Sequence, residues 1–455
     1  MPTAYTILFL LLILVAAATW IIPAGSYDYV DGVPVAGTYH TVEQNPQGVG
    51  DVLKAAFSGF YDAVDVCIFI LMVGGFLGVV MKTGAVDAGV GNVIRLLGGR
   101  EKWLIPILML LFGLGGTTYG MWEETMAFYP LLIPVFLAAG YDAVVGISVI
   151  LLGAGAGVIA STVNPFATGI AAGFAGVSLG EGIVLRLLEW VAFEVAAIWF
   201  VMAYAAKVKK NPSKSVVGVG AGKIQVSMDQ QVPFTAKRKV IMALFTLTFL
   251  IMVYAVVPFD EMGLSLPALG WWFPELSALF LVAGVVIGLI DRMSEEELVE
   301  TYVAGCADLL GVAFIIGISR GITVLMNDGA ITDTVLHWGE QALSGAGAIS
   351  FTLLVFALYL PLTILIPSSS GLATLSIPIV APLGKFAGVG GDLVVTAFQS
   401  ASGLVNIITP TAAVVMGALA LGHVPYDRWV KYVWKLILWF LLLALAFLVA
   451  GVLLG

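Results

Sequence analysis

The stretch Pro367-Ser368-Ser369-Ser370-Gly371 lies near the middle of the apolar run Phe351–Gly384, which contains no charged residue. A membrane helix needs about 20 apolar residues. This run of 34 residues is therefore too long for one span and too short for two spans with a loop. Broken backbone at membrane depth is tolerated only where it is buried in protein or lines a wet cavity. The stretch therefore predicts the tip of a re-entrant helical hairpin.

The composition of the whole chain is that of a polytopic membrane protein. Of its 455 residues, 60% are hydrophobic and only 11% are charged, whereas soluble domains carry about 25% charged residues. The net charge of −9 says little about partners, because almost no ionisable residue is available for a soluble surface. No basic domain or nucleic-acid motif occurs, so binding of nucleic acid is not expected. Neither a metal cluster nor an enzymatic site is predicted.

The spacing of apolar runs and breaks predicts an all-α protein with two similar halves. The first half contains a second over-long run, and each half contains a run that is interrupted by an Asn-Pro or Thr-Pro break. The predicted parts are a first span with an extracytoplasmic segment (1–50), a first repeat (51–206) with a hairpin (103–139) and a broken helix (143–175), a cytoplasmic linker (207–239), connecting helices (240–297), and a second repeat (298–455) with a hairpin (351–384) and a broken helix (393–421).

The two halves match in the order of their elements and in the spacing of their motifs. Gly84-Ala85-Val86 has its counterpart in Gly329-Ala330-Ile331, and Asn164-Pro165 has its counterpart in Thr409-Pro410, both 245 residues later. The loop after Gly84 is basic, whereas the loop after Gly329 has no Lys or Arg. Because positive loops stay in the cytoplasm, corresponding loops lie on opposite faces. This pattern indicates inverted-topology repeats, as in secondary transporters.

The distribution of Lys and Arg also predicts the orientation in the membrane. We place the N-terminus in the cytoplasm and the C-terminus outside, with both hairpins returning to the face from which they entered. Most of the 20 Lys and Arg residues then lie in cytoplasmic segments or at their edges. The exceptions are Lys54, Arg186 and Lys385 on the outer side and Arg320 within the membrane. The expected location is the cytoplasmic (inner) membrane.

The four breaks are expected to surround one binding site at the middle of the bilayer. The first tip is predicted at Gly115–Gly120, where Thr117, Thr118, Tyr119 and Gly120 are candidate substrate ligands. In the second tip the candidates are Ser368, Ser369, Ser370 and Gly371. Each tip begins a half-helix whose free amides carry partial positive charge, and such helix ends bind carboxylates.

The broken helices are expected to supply further ligands. Asn164-Pro165 and Thr409-Pro410 resemble helix starts, with a capping side chain followed by proline at the first helical position. Ser161 and Asn406 precede these breaks, where unwound backbone offers carbonyl oxygens to a cation. The candidate Na⁺ ligands are Ser161, Asn164, Ser369, Asn406 and Thr409. A proline-kinked helix with locally satisfied hydroxyl groups is the alternative explanation for each break taken alone.

Glu123, Glu124 and Arg320 fall within predicted membrane segments, where ionisable groups are costly unless they are solvated or paired. Glu123 and Glu124 directly follow the first tip. They are candidate ligands for a positive group on the substrate, or first-turn acids that complement a helix dipole. Arg320 lies deep in a span and either pairs with a protein carboxylate or binds a substrate carboxylate.

The chain resembles the YfcC-like branch of the C4-dicarboxylate anaerobic carrier family, within the ion transporter superfamily. The residues that carry the resemblance are Trp20-Ile-Ile-Pro-Ala-Gly25, Gly120-Met-Trp-Glu-Glu-Thr125, Asn164-Pro165, Lys207–Lys214, Pro367–Gly371 and Thr409-Pro410. The resemblance implies a homodimer in which each protomer has a scaffold and a mobile transport domain. It also implies Na⁺ as the candidate coupling ion, and it groups this branch with arginine/ornithine-type exchangers.

These observations together predict a secondary active transporter that works by an elevator-type movement, either ion-coupled or as an exchanger. The substrate is a small carboxylate-bearing metabolite. Glu123 and Glu124 favour an amino acid, of the basic type. A C4-dicarboxylate is the alternative, with Arg320 binding the second carboxylate. A passive channel is the alternative of another class, although paired hairpins favour a carrier because they can gate a site from both faces.

Overall fold

The fold is mostly helical, as a membrane protein requires. The computed structural model describes residues 4–30, 33–86, 88–89, 100–118, 120–178, 180–218, 233–256, 266–267, 269–271 and 273–454. Within these ranges, five helices are long and apolar enough to cross a membrane: Val64–Lys82, Phe273–Asp291, Glu295–Asp328, Ala348–Leu365 and Tyr426–Leu454. Two shorter apolar helices, Tyr5–Ala18 and Ala143–Ile159, accompany them.

The N-terminal segment departs from the predicted all-α structure. Helix α1 spans Ala4–Ala18, and four two-residue strands follow it: β1 (Gly25–Ser26), β2 (Tyr29–Val30), β3 (Val33–Pro34) and β4 (His40–Thr41). Strand β1 pairs with β4 and strand β2 pairs with β3, both antiparallel. The segment is too polar to enter the membrane as a helix, so its backbone groups find partners through hairpin pairing.

The rest of the first half is helical. Its helices are α2 (Val49–Asp62), α3 (Val64–Lys82), α4 (Leu104–Thr118), α5 (Tyr129–Ala138), α6 (Ala143–Ile159), α7 (Ile170–Ala175) and α8 (Ile183–Lys210). A 3₁₀ helix over Glu123–Phe128 precedes α5, and a π-helical turn over Pro165–Gly169 precedes α7. The hairpin predicted over 103–139 is the pair α4–α5, and the broken helix predicted over 143–175 is α6 and α7.

The second half contains the corresponding hairpin and broken helix. Its helices are α9 (Ala236–Val256), α10 (Phe273–Asp291), α11 (Glu295–Asp328), α12 (Thr332–Leu343), α13 (Ala348–Leu365), α14 (Ser369–Phe386), α15 (Gly391–Asn406), α16 (Ala413–Leu421) and α17 (Tyr426–Leu454). Helix α12 forms where the sequence predicted only a loop. The predicted linker 207–239 begins within α8 and ends within α9, and its residues 219–232 lie outside the described ranges.

Helices α2 and α3 run along α11 and form the core of one packed group, together with α1 and α10. The crossings are lined with glycine. A Cβ atom on Gly59 would collide with the backbone of Gly317, and a Cβ atom on Gly305 would collide with the backbone of Gly74. Small residues let membrane helices approach closely enough for van der Waals contact along the backbone. This group therefore forms a tightly packed unit.

Helices α4 to α8 and α13 to α17 form the second packed group. Both hairpins and both broken helices belong to it. The two groups meet where α16 contacts α11 and where the Glu123–Phe128 turn contacts α3. The turn that follows α4 therefore faces the first group.

Candidate functional site

A cavity of about 210 Å³ lies at the boundary between the two helix groups. The first group contributes Asp62, Asp65, Phe273 and Arg320 to its wall. The second group contributes the residues that the sequence singled out: Gly120, Glu123, Glu124, Asn164, Ser368, Ser369, Ser370 and Asn406. Residues from both hairpins and both broken helices thus meet in one place.

Five other predicted ligands, Thr117, Thr118, Ser161, Gly371 and Thr409, do not line this cavity within the described part of the chain. Tyr119 lies outside the described residues. Gly371 directly follows Ser370 of the cavity wall, and the Thr409 hydroxyl bonds that of Thr411, which lines the cavity.

The first tip begins later than predicted. Helix α4 continues through Thr118, so Gly115 and Gly116 are helical and buried. The reason is packing between helices: a Cβ atom on Gly116 would collide with the carbonyl oxygen of Ala154, and one on Gly157 would collide with that of Gly113. These glycines allow α4 and α6 to touch, and they do not mark the turn.

Thr117 joins the first tip to the first broken helix. Its hydroxyl donates to the Ala160 carbonyl at 2.8 Å and accepts from the Thr162 amide at 3.1 Å. The Thr162 hydroxyl in turn donates to the Thr117 carbonyl at 2.9 Å. Thr118 instead donates to the Leu114 carbonyl one turn earlier in α4, at 2.6 Å. Thr117 therefore holds the unwound backbone of the break against the tip.

Gly120 begins the described backbone of the tip beyond α4. Its φ of +79° lies in the left-handed region, which glycine adopts without strain. A Cβ atom there would lie 2.5 Å from Nδ2 of Asn164. Only glycine therefore lets the tip approach Asn164 so closely.

Glu123 and Glu124 follow as the first residues of the 3₁₀ turn. Glu124 is 5% exposed, and its Oε2 accepts a hydrogen bond from the Trp122 amide at 3.1 Å. Glu123 is half-buried and lies within electrostatic range of Arg320 and Asp65. The turn thus presents both carboxylates to the same cavity, and one oxygen of Glu124 is held by the neighbouring Trp122 amide.

The second tip has the predicted geometry. Ser368 caps α14, because its hydroxyl accepts a hydrogen bond from the Gly371 amide at 3.2 Å. Ser369 is the first helical residue. The cavity is lined by Ser368, Ser369 and Ser370. A helix start carries partial positive charge and free amide groups. This end of the cavity is therefore suited to an anion.

Arg320 reaches the cavity from α11 and has a carboxylate beside it. Its Nε atom lies 3.8 Å from Oδ2 of Asp62, at the end of α2. Asp62 and Asp65 were not singled out from the sequence, although both fall in the predicted first repeat, 51–206. The same rule that selected Glu123 and Glu124, that charge at membrane depth needs a reason, would have found them.

The two broken helices differ from each other more than their sequences suggest. Asn164 caps the turn that begins at Pro165, because its Oδ1 accepts from the Ala167 amide at 3.3 Å. The second half-helix begins at Ala413 rather than at Pro410, so the predicted start at Thr409-Pro410 is wrong. The Thr409 hydroxyl bonds that of Thr411 at 2.9 Å within the extended turn. Asn406 is the last residue of α15 and is helical rather than unwound.

Four buried side-chain oxygens near the breaks lack hydrogen-bond partners within the described structure. They are Ser161 Oγ, Thr168 Oγ1, Gln399 Oε1 and Ser402 Oγ. Gln399 lies against the end of α6, since its Nε2 donates to the Val158 carbonyl at 2.6 Å. No group of three or more His, Cys, Asp or Glu residues that could hold a metal ion occurs in the described ranges. Neutral oxygens of this kind suit a hard cation better than a transition metal.

Two relatives match this chain over nearly its whole length. An uncharacterized protein of Haemophilus influenzae is 35% identical over 503 residues, which cover 99% of this chain and 97% of the relative. A putative basic amino acid antiporter, YfcC, of Escherichia coli strain K12 is 31% identical over 480 residues, which cover 95% of this chain and 92% of the relative.

Two solved transporter structures are similar over most of their length, at low identity. The YdaH transporter of Alcanivorax borkumensis is 15% identical with a TM-score of 0.44, and the match covers 98% of each chain. MtrF of Neisseria gonorrhoeae, described with a class of antimetabolite efflux pumps, is 18% identical with a TM-score of 0.43, covering 98% of this chain and 94% of MtrF.

A family model also matches, and it covers residues 1–453. Its description is that of a C4-dicarboxylate anaerobic carrier, so the family consists of transporters and not of enzymes. The resemblance that the sequence motifs suggested is confirmed by this match and by the relatives. The chain therefore belongs to the DcuC family of C4-dicarboxylate anaerobic carriers.

Proposed function

We propose that this membrane protein is a secondary active transporter whose preferred substrate is a basic amino acid of the arginine or ornithine type. One observation carries the proposal: a single guanidinium and four carboxylates line the same cavity. The cation is Arg320, and the acids are Asp62, Asp65, Glu123 and Glu124. A cavity with an excess of one sign of charge concentrates ligands of the opposite sign. The site therefore favours a substrate with net positive charge.

The two ends of the cavity suit the two ends of such a substrate. The substrate α-carboxylate would lie against the start of α14, at Ser368–Ser370, where free amides and hydroxyls bind anions. Arg320 would add a charge-assisted hydrogen bond from the opposite wall. The positive end of the substrate would lie between Glu123 and Glu124. The family relative described as a putative basic amino acid antiporter agrees with this assignment.

A C4-dicarboxylate is the alternative substrate, favoured by the description of the family model. Both ends of such a substrate are negative, and only Arg320 is available in the described cavity wall to bind the second carboxylate. The four carboxylates would repel it. A passive channel is the other alternative, and it differs from a carrier because it gives no counterflow of labelled substrate.

The mechanism that we propose is an elevator-type movement of the second helix group along the first. The support is the inverted repeat in the sequence and the matching order of hairpin and broken helix in both halves. The close contact of α2 with α11 at Gly59 and Gly317 also has a counterpart in the contact of α11 with α3 at Gly305 and Gly74. An inverted repeat relates two states that open to opposite faces. The cavity at the boundary between the groups is where such a movement would expose the substrate.

The orientation and the assembly follow from the same proposal. The N-terminus lies in the cytoplasm and the C-terminus outside the inner membrane, as the positive-inside rule favours. Labelling of single cysteines at His40 and at Lys214 with an impermeant reagent in whole cells tests the orientation, and only the first should react. The proposed homodimer rests on the resemblance to the ion transporter superfamily, and the mass of the protein in detergent tests it.

We further propose that Na⁺ is the coupling ion and binds at the breaks. The candidate ligands are Ser161, Asn164, Ser369, Asn406 and Thr409. The buried oxygens of Ser161 and its neighbours Thr168, Gln399 and Ser402 support this proposal, because a cation would satisfy them. Proton coupling and simple exchange are the alternatives.

A thermal-shift screen on the purified protein tests the substrate and the ion together. A ligand at 100 times its dissociation constant stabilises the folded state by about 2.7 kcal/mol. Arginine and ornithine should raise the melting temperature, whereas succinate and fumarate should not. Omitting Na⁺ should weaken the effect of arginine. If succinate or fumarate stabilises the protein and no amino acid does, the preferred substrate is wrong. Counterflow of labelled arginine in liposomes then separates a carrier from a channel.

A further inference from the structure

Glu194 is a buried acid on α8 that the proposed substrate site does not use. It is 3% exposed and lies eleven residues after Ile183, in a helix of 28 residues. At 1.5 Å per residue it is about 16 Å from one end of the helix and about 24 Å from the other. Glu194 therefore lies well inside the helix, and it does not line the substrate cavity.

Among the described residues, no countercharge lies beside Glu194. Helices α4, α6 and α17 pack against α8. Helices α4 and α6 have no charged residue, and the charged residues of α17 lie in its first ten positions. The tyrosine of α17 on this side, Tyr432, contacts Phe200 and Tyr204, further along α8. On α8 itself the nearest ionisable groups are Arg186 and Glu189, and neither is a partner of Glu194 in the described structure.

The Glu194 carboxyl also lacks hydrogen bonds. Within the described ranges neither of its oxygens has a partner. The carboxyl lies directly on the backbone of α4, since a Cβ atom on Gly113 would overlap it. A buried carboxylate without hydrogen bonds or countercharge is strongly disfavoured, so the neutral acid is the form that this arrangement favours.

A hydrogen-bond donor for the deprotonated form of Glu194 lies one turn away on α8. The indole Nε1 of Trp190 is also buried and has no partner in the described part of the chain. Residues four apart on a helix are neighbours on its surface. A change in the packing of α8 on α4 would let Trp190 donate to a deprotonated Glu194.

We propose that Glu194 is a proton-binding site that couples proton movement to substrate movement, in addition to the Na⁺ site proposed at the breaks. Gly113 lies one turn before Thr117 on α4, and Thr117 bonds the first broken helix at Thr162. Helix α4 also leads to the tip that carries Glu123 and Glu124. Loss of the proton from Glu194 would therefore change the packing of the helix that holds the substrate acids. The coupling role rests on the proposed transport function, whereas the proton site itself does not.

Glu189 supplies a matched control on the same helix. It is fully buried, like Glu194, but its Oε1 accepts a hydrogen bond from the Ser400 hydroxyl at 2.8 Å. Arg186 also lies within electrostatic range of it. Glu189 therefore has a donor and a cation that stabilise its carboxylate, and Glu189→Gln removes an equally buried acid that is not expected to bind the transported proton.

Infrared spectroscopy of the purified protein tests the proton site without a substrate. A protonated carboxyl has a C=O stretch that is separate from carboxylate and amide bands. We expect a component of this band at neutral pH in the wild type and in Glu189→Gln, and its loss in Glu194→Gln. An unchanged band in Glu194→Gln overturns the proposal. If Glu194→Gln does not fold, Glu194→Met carries the same test, because it keeps the chain length without a carboxyl.

Transport in liposomes tests the coupling, with labelled arginine as the probe. A pH difference of one unit supports at most about a tenfold accumulation when one proton moves per substrate. Glu194→Gln should keep counterflow at equal pH but lose accumulation driven by a pH gradient of either direction, while Glu189→Gln keeps both. Gradient-driven accumulation in Glu194→Gln overturns the coupling role. If the wild type gives no arginine counterflow, the proposed substrate fails, and the infrared comparison still decides the proton site.

Discussion

The Nε atom of Arg320 lies 3.8 Å from Oδ2 of Asp62, and both residues line the cavity between the two helix groups. This distance is longer than a hydrogen bond, which spans about 2.7–3.2 Å. The Arg320 side chain is 24% exposed and the Asp62 side chain is 53% exposed, so both remain accessible. Asp62 thus lies close to Arg320 but does not fill the hydrogen-bonding positions of its guanidinium group. A substrate carboxylate can therefore compete with Asp62 for Arg320.

The first prediction concerns Arg320. Arg320→Lys keeps the charge but removes the planar fork that binds carboxylates. Loss of a charge-assisted hydrogen bond costs about 1.5–3 kcal/mol, so we expect arginine to bind at least about tenfold more weakly. The measurement is the ligand-induced shift in melting temperature, titrated with arginine.

Asp62→Asn is the matched control for Arg320→Lys. It removes the competing carboxylate and leaves the guanidinium in place. Binding of the substrate carboxylate should then stay the same or become tighter. Equal affinity for arginine in the wild type and in Arg320→Lys would mean that Arg320 has a structural role only and does not bind the substrate.

The second prediction separates Glu123 from Glu124. One oxygen of Glu124 is held by the Trp122 amide, whereas Glu123 is half-buried at the cavity. Glu123→Gln should therefore weaken arginine binding more than Glu124→Gln, and the double variant should weaken it at least about tenfold, or about 1.4 kcal/mol. Titration of each variant with arginine measures the effect.

Citrulline is the control ligand for these variants, because it has nearly the shape of arginine but its side chain carries no positive charge. Its binding should change little, or improve, when the acids are neutralised. Loss of citrulline binding in parallel with arginine binding would indicate a damaged site rather than a lost charge pair.

The third prediction concerns the contact between the first tip and the first break. Thr117→Val keeps the shape of the side chain but removes its hydrogen bond to the Ala160 carbonyl. A buried polar group left without its partner costs about 1–3 kcal/mol. We expect a lower melting temperature in detergent and weaker substrate binding.

Thr118→Val serves as the neighbouring control. Its hydroxyl bonds only the preceding turn of its own helix, so its effect on stability should stay within about 0.5 kcal/mol. Equal effects of the two variants would contradict the proposed role of Thr117 in holding the break.

The fourth prediction concerns pH and the N-terminal strands. The Tyr27 hydroxyl donates to Glu340 at 2.8 Å, and the Tyr29 hydroxyl donates to Asp333 at 2.8 Å. Burial, followed by these hydrogen bonds, raises the pKa of both tyrosines well above the ordinary value. A group whose pKa is raised on folding stabilises the folded state below its ordinary pKa. This contribution is lost as the pH rises above about 10.

Hydrogen exchange of the segment 25–41 measures this effect. Protection in the wild type should fall as the pH rises above about 10, once exchange rates are corrected for pH. The double variant Tyr27→Phe and Tyr29→Phe should show weaker protection at neutral pH and a smaller alkaline loss. An alkaline loss of the same size in both proteins would contradict the role of these hydroxyls.

The two hairpins differ in how far their sequences predicted them. The second tip has a capping serine after a proline, and its local chemistry alone places the start of α14 at Ser369. The glycines of the first tip looked like a turn, but they serve contact between α4 and α6, which only the packed structure reveals. Glycine has both uses, and a single sequence does not distinguish them.

The residues that the second helix group contributes to the site could be predicted better than those that the first group contributes. The breaks and the acids of the first tip stand out because polar groups are costly at membrane depth. Asp62 and Asp65 carry the same signal, but their place beside Arg320 depends on the close crossing of α2 and α11. Helix α12 and the small strands were missed because they are short, polar and held by contacts with each other, such as that between Tyr27 and Asp333.

Glu124 and Ser368 line one cavity, yet 244 residues separate them in the chain. At a synthesis rate of about 5–20 residues per second, the second tip emerges roughly 12–50 s after the first. During this interval the first hairpin has been made, but the helix start that completes the cavity has not. The site is therefore assembled after the first half has entered the membrane, and the ribosome sets the earliest time at which it can form.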